Sequence, residues 1–153
     1  SGERFSCSRR RWTLAPEYTI REFRPVDAGN FPEFAALGID KMTVPMPAFT
    51  ACCGYEPIAC AGIVPVRPGI GEAWAMFRQP MNGHRIYLAR AVRDGLEQLF
   101  AQGQFRRIQA IITVGRPDLI RWMAFLGFER EGTLRAYGIH GDDCLMYARI
   151  RES

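Results

Sequence analysis

Phe125-Leu126-Gly127-Phe128-Glu129-Arg130-Glu131-Gly132 is the stretch on which the fold turns. An apolar helical repeat runs into a glycine, and an aromatic residue then opens an extended segment. Glycine just past a last helical turn adopts the left-handed conformation that stops a helix without steric cost. Tyr137-Gly138 and Gly141-Asp142-Asp143 mark the next reversal, and the chain from Asp143 to Arg151 reads as a closing strand. The C-terminal third is therefore expected to be helix, strand, turn, strand.

The pattern continues upstream. Leu119, Ile120, Met123 and Leu126 line one face of a helix whose first turn holds Pro117. Before it, Arg107-Ile108-Gln109-Ala110-Ile111-Ile112-Thr113-Val114 is the β-branched run of a covered strand. A longer helix is expected from about His84 to Gln102, with Ile86, Leu88, Val92, Leu96, Leu99 and Phe100 at helical spacing between Gly83 and Gly103. The first half is a meander. Residues 18–24 alternate with a period of two, and Asp27 is expected to cap a helix carrying Phe31, Phe34, Ala35 and Leu37 that ends near Gly38. Residues 49–53 and 58–66 form a hairpin about Gly54-Tyr55-Glu56-Pro57, and after the turn at 67–71 a further strand runs from Glu72 to Phe77.

The order is strand, helix, three strands, helix, strand, helix, two strands. A crossover helix between Phe77 and Arg107 makes the strands it joins parallel. The expected fold class is α/β (α+β), a mixed central sheet with helices on both faces.

With 153 residues and 48% hydrophobic content, the chain suits one domain over residues 16–153. Residues 1–15, with Arg4, Arg9, Arg10 and Arg11, read as a flexible, solvated extension rather than a basic arm or targeting remnant. A net charge of +4 gives no reason to expect nucleic acid, and no apolar run approaches the roughly 20 residues of a membrane span. The five cysteines (Cys7, Cys52, Cys53, Cys60, Cys144) are odd in number and lack a Cys-x-x-Cys pair, so reduced, buried thiols in the cytoplasm are expected. His84 and His140 lie too far apart in sequence to suggest a metal site.

From Tyr18 to Arg151 the cadence resembles the Gcn5-related N-acetyltransferases (GNAT superfamily), most specifically at Leu126-Gly127-Phe128 and the hairpin after it. Glu72-Ala73-Trp74, Arg121-Trp122 and the Gly-Asp-Asp hairpin are similar to a phage or prophage-associated branch. The resemblance implies the GNAT acyl-CoA N-acyltransferase fold and acetyl-CoA as cosubstrate. Ala75, Met76 and Phe77 on the fourth strand would pair with the pantetheine arm, and the diphosphate would rest at the start of the long helix. The family loop reads Gln or Arg, two variable residues, Gly, one variable residue, then Gly or Ala. Here Pro80-Met81-Asn82-Gly83-His84-Arg85 keeps one glycine and puts Arg85 at the second small position. Arg78, Asn82, Gly83, His84, Arg85 and Ile86 are the implied cofactor contacts, with Arg116 standing where the family often has Asn. His84 by itself reads most simply as an exposed residue near a helix start.

For catalysis, the family's frequent tyrosine acid is replaced by Met123, which leaves water, Tyr137 or Tyr87 to protonate the leaving thiolate. Glu72 is the candidate general base: beside Ala73 and Trp74 it would be partly desolvated, whereas its alternative is a solvated strand-edge carboxylate. Asp142 and Asp143 are expected turn residues. The implied partners are acetyl-CoA and an amine acceptor, a small molecule or a protein amino group, with a homodimer conceivable. The competing expectation is an inactive GNAT-fold binding or virion-assembly protein. A nucleic-acid binder using the arginine-rich tail is a third.

Overall fold

The computed structural model describes residues 17–32, 47–78, 81 and 83–152. Its elements are β1 (Tyr18–Glu22), a 3-10 turn (Pro25–Asn30), β2 (Ala48–Cys53), β3 (Glu56–Arg67) and β4 (Ile70–Phe77). There follow α1 (Arg85–Ala101), β5 (Arg107–Thr113), α2 (Pro117–Phe125), β6 (Glu129–Leu134) and β7 (Cys144–Ile150). The seven strands hydrogen-bond in the order β1-β2-β3-β4-β5-β7-β6. β4 and β5 are parallel, as the crossover helix requires, while β7 runs antiparallel to both β5 and β6. The part of the expected helix from residue 33 to its end near Gly38 falls outside the described residues, as does the extension at 1–15.

By its internal contacts the chain divides into two compact units. One contains β1, the 3-10 turn, Ala48–Ala61 and Ala75–Arg85; the other contains Pro47, Gly62–Trp74 and the chain from Ile86 onward.

In the second unit, the reading of Leu126-Gly127-Phe128 holds at the level of single bonds. Gly127 has φ +82°, its N–H donates to the Ala124 carbonyl (3.1 Å), and the Phe128 N–H donates to the Met123 carbonyl (2.9 Å). That is the paired C-terminal closure in which glycine satisfies two otherwise orphaned carbonyls and the next residue packs back on the helix. Met123 and Phe128 both join the core, with Leu96, Phe100, Phe105, Ile108, Ala110, Ile112, Leu145 and Tyr147. Each fully buried large side chain of this kind contributes about 1.5–3 kcal/mol. Both α1 and α2 bury their apolar stripes in this one cluster.

β4 begins two residues earlier than the sequence suggested, because Gly71 belongs to the strand rather than to the turn. A methyl group at Gly71 would lie 2.3 Å from Ile63 Cγ2 and 2.9 Å from Phe105 Cε1, so only glycine admits both side chains. Gly71→Ala is expected to lower stability by about 1–3 kcal/mol through overpacking. The urea midpoint should fall with m unchanged; an unchanged midpoint would refute this account of the core.

Among the described residues of the first unit, Phe23, Ala28, Phe31, Ala48, Ile58, Cys60 and Met81 are buried. Two polar residues are buried as well, Asp27 (3% exposed) and Thr50 (0%). Asp27 is not the N-cap residue: Arg24 takes that position of the 3-10 turn, and Asp27, three residues inside it, closes the start of the turn by accepting from the Arg24 N–H in a capping box. Its Oδ2 accepts hydrogen bonds from the Arg24 N–H (2.8 Å), Thr50 Oγ1 (2.8 Å) and Arg21 Nη1 (2.7 Å), and its Oδ1 accepts from Arg21 Nη2 (2.7 Å). Burial alone would raise the carboxyl pKa; the bonds from Arg21, Arg24 and Thr50 and the charge on Arg21 outweigh it and hold it at about 2.

Cys52, Cys60 and Cys144 are free and buried, as expected. Burial raises Cys60 to about 11, which leaves it an unreactive thiol. Cys53 departs from the expectation of reduced thiols: it is disulfide-bonded at the end of β2, where the strand gives way to a turn. Among the described residues no helix is long and apolar enough to cross a membrane, and no group of His, Cys, Asp and Glu is arranged to hold a metal ion.

Candidate functional site

Two places in the chain carry the residues singled out above. The first is the exit from β4 into α1. Ala75 is exposed, Met76 and Phe77 are half-buried, and Met81 is buried. Gly83 has φ +88°, a conformation that strains any other residue. Arg85, the first residue of α1, is exposed, as is Ile86 after it. Asn82 lies outside the described residues.

Two of the expected anion contacts are already engaged. Arg78 forms an ion pair with Glu56 across the β3–β4 meander, and its N–H donates to the Ile58 carbonyl (2.9 Å). His84 is not simply exposed: it is half-buried, with Nδ1 2.7 Å from the Tyr18 hydroxyl and its ring edge-on to Tyr18 at 5.6 Å. The Tyr18 hydroxyl also donates to the Gly83 carbonyl (3.2 Å). Nothing in the local sequence of the loop pointed to Tyr18, 65 residues earlier than Gly83.

The second place is the middle of β4, in the other unit. Glu72 and Gln109 are direct register partners of the parallel pair, and Gln109 Nε2 donates to Glu72 Oε1 at 3.2 Å. Gln109 Oε1 accepts from Arg107 Nε (3.2 Å), and the Arg107 guanidinium is bidentate to Glu131 (2.8 and 2.5 Å). The result is a chain from Glu131 through Arg107 and Gln109 to Glu72. A strand alternates its faces, so Gly71 and Ala73 meet the apolar cluster while Glu72 points to the opposite side. Trp74 shares the Glu72 face, and its indole lies over Gly62, where an added methyl would come within 2.8 Å of the ring.

Glu131 reaches Arg107 because of an irregularity in β6. The register steps from Arg130↔Tyr147 to Gly132↔Met146, so Glu131 is the extra residue of a bulge. Bulges re-aim a side chain out of the regular alternation. Sequence reasoning missed Gln109 and Arg107; the available signal was a lone amide and a lone cation within an otherwise apolar strand.

The remaining candidates are not brought to these places by any described hydrogen bond. Tyr137 is 58% exposed in the β6–β7 connection. Arg116 pairs with Asp118 in the first turn of α2 (3.1 and 2.9 Å). Met123 is a core residue, and His140 is exposed. Asp143 Oδ1 accepts from the Ala136 N–H (2.9 Å), and the Gly138 N–H donates to the Asp142 carbonyl (2.8 Å), as turn residues do.

The parallel register of β4 with β5 runs only from Ile70↔Arg107 to Ala73↔Ala110, although β4 continues to Phe77 and β5 to Thr113.

No family model matches the chain, and no curated protein matches it. Solved structures do. An acetyltransferase of the GNAT family from Bacillus anthracis superposes with a TM-score of 0.70 at 18% identity, over 90% of this chain and 98% of that one. The ribosomal-protein-S18-alanine N-acetyltransferase from Escherichia coli gives 0.71 at 15% identity, over 90% and 96%. A ribosomal L7/L12 α-N-protein acetyltransferase in complex with coenzyme A gives 0.60 at 18%, over 67% of this chain and 60% of that one. The chain thus has the GNAT acyl-CoA N-acyltransferase fold, with its mixed seven-stranded sheet.

Proposed function

We propose that this chain is an acetyl-CoA-dependent N-acetyltransferase that transfers the acetyl group directly to an amine, on a small molecule or a protein. The observation that carries the reading is the parallel register ending at Ala73↔Ala110, in a chain that leaves β4 through Gly83, His84 and Arg85 into α1. Main-chain groups at Ala75 and Met76 offer edge pairing to a pantetheine arm. The amide of Arg85 and its exposed guanidinium suit a diphosphate, because a helix start concentrates partial positive charge. This arginine supplies by side chain what a second small residue would supply by closer backbone approach.

In the proposed reaction Glu72, oriented by Gln109, takes a proton from the acceptor ammonium. The neutral amine attacks the thioester carbonyl, the C–N bond forms, the C–S bond breaks, and the proton that the new amide nitrogen must shed passes by way of water or Tyr137 to the departing thiolate. Holding the amine and thioester together supplies most of the acceleration, so a methionine at position 123 does not forbid turnover.

A ligand at 100 times its Kd stabilises a protein by about 2.7 kcal/mol. Acetyl-CoA is therefore expected to raise the melting temperature, and Gly83→Glu, which combines backbone strain with a like charge, should abolish the shift. No shift at millimolar acetyl-CoA would end the proposal. The second reading, an inactive GNAT-fold binding or phage-related assembly protein, draws on the Arg78–Glu56 pair and on the core placement of Met123. It predicts no acetyl transfer to any amine, with or without a shift.

A further inference from the structure

We propose that Tyr18 is a positioning residue for the cofactor loop, a tether from β1 that fixes how Gly83 and His84 present the start of α1 to an anionic ligand. The inference rests on the acetyl-CoA reading and adds to it a residue from a distant strand. Tyr18 sits on a rigid element: β1 pairs with β2 at every position from Tyr18↔Cys53 to Glu22↔Phe49, and the Gly54 N–H donates to the Glu17 carbonyl (2.9 Å) beside it. Its hydroxyl meets two groups of the loop at once, the Gly83 carbonyl at 3.2 Å and His84 Nδ1 at 2.7 Å.

A phenol has one proton to give. If it goes to the Gly83 carbonyl, the short contact to His84 requires the imidazole to carry a proton on Nδ1. The hydroxyl thereby holds a carbonyl dipole whose negative end, left to rotate, would oppose a phosphate. It also fixes the plane of the imidazole next to the Arg85 amide that opens α1. Gly83, at φ +88°, has the freedom of a glycine, and the tether removes that freedom before the ligand arrives.

Tyr18→Phe tests this directly, since the ring and its edge-on packing against His84 remain and only the hydroxyl is lost. In the unliganded protein, amide exchange at Gly83 to Arg85 should quicken about tenfold, the effect of losing a hydrogen bond of ordinary strength. By calorimetry the Kd for coenzyme A should rise about tenfold, and KM for acetyl-CoA should rise with kcat unchanged. Acetyl-pantetheine, which lacks the diphosphate, should react equally well with both proteins. His84→Ala should weaken coenzyme A as Tyr18→Phe does, and the double variant should add little. Unchanged exchange and unchanged coenzyme A binding in Tyr18→Phe would overturn the tether and leave the transferase reading standing. Equal losses with acetyl-pantetheine would also overturn it, by exposing a general structural effect. Failure of the wild-type protein to bind coenzyme A would instead strike the transferase reading, and the exchange measurement would then decide the tether alone.

Discussion

Glu72→Gln is expected to lower kcat for acetyl transfer about a hundredfold while KM for acetyl-CoA stays within a factor of two or so. Positioned general bases typically contribute factors of 10² to 10⁴. Glutamine keeps the size and the ability to accept from Gln109 Nε2, so any loss reports the missing base rather than a collapsed strand. Because Glu72 lies on the face of β4 turned away from the apolar cluster, the substitution should leave the melting temperature unchanged. Gln109→Leu removes the only described donor to this carboxylate and should cost less, about tenfold in kcat, through orientation alone. Full activity of Glu72→Gln in a steady-state assay with any productive amine would remove Glu72 from the mechanism and return it to the solvated strand.

Asp27→Ala is expected to destabilise the first unit by about 3 kcal/mol, the range found when one partner of a buried, hydrogen-bonded pair is deleted. The substitution strips the acceptor from the Arg24 amide, from both Arg21 nitrogens and from the fully buried Thr50 hydroxyl. Arg21 itself is partly exposed and can recover water, which keeps the cost below that of a sealed pair. The pH dependence has a definite sign. A carboxyl lowered from 3.8 to about 2 in the folded protein contributes stability that is fully present above about pH 4 and lost as the pH falls toward 2. That contribution is about 2 kcal/mol. Urea unfolding from pH 7 down to pH 2.5 should show the wild type converging on Asp27→Ala; parallel curves would show that the carboxylate is not held as described.

The parts of the fold that were legible in the sequence are those whose cause is local. Gly127 ends α2 because glycine alone tolerates φ +82° cheaply, and both bonds it permits are closed within five residues. The parallel pair followed from the length of the crossover between Phe77 and Arg107. Where the reading went astray, a residue type had two local uses and a distant partner chose between them. Aspartate favours helix caps, yet Asp27 is held by Arg21 on β1 and Thr50 on β2. Glycine close behind a Pro-Gly pair favours turns, yet Gly71 is a strand residue because Ile63 and Phe105 close over it. His84 looked solvent-facing until β1 brought Tyr18 to it.

The candidate site divides in the same way. Glu72, Gly83, His84 and Arg85 could be nominated because a motif and a strand pattern placed them in order along the chain. Gln109, Arg107 and Glu131 could not, since their meeting depends on the β4–β5 register and on a bulge in β6. Periodicity and chain stiffness determined which segments are helices and strands and which two strands run parallel, because those properties are summed over neighbouring residues. Tertiary structure alone decided which carboxylate is buried, which acid meets an amide and which phenol holds the loop. Hydrogen bonds reach about 3 Å, and only the folded sheet brings groups dozens of residues apart within that distance.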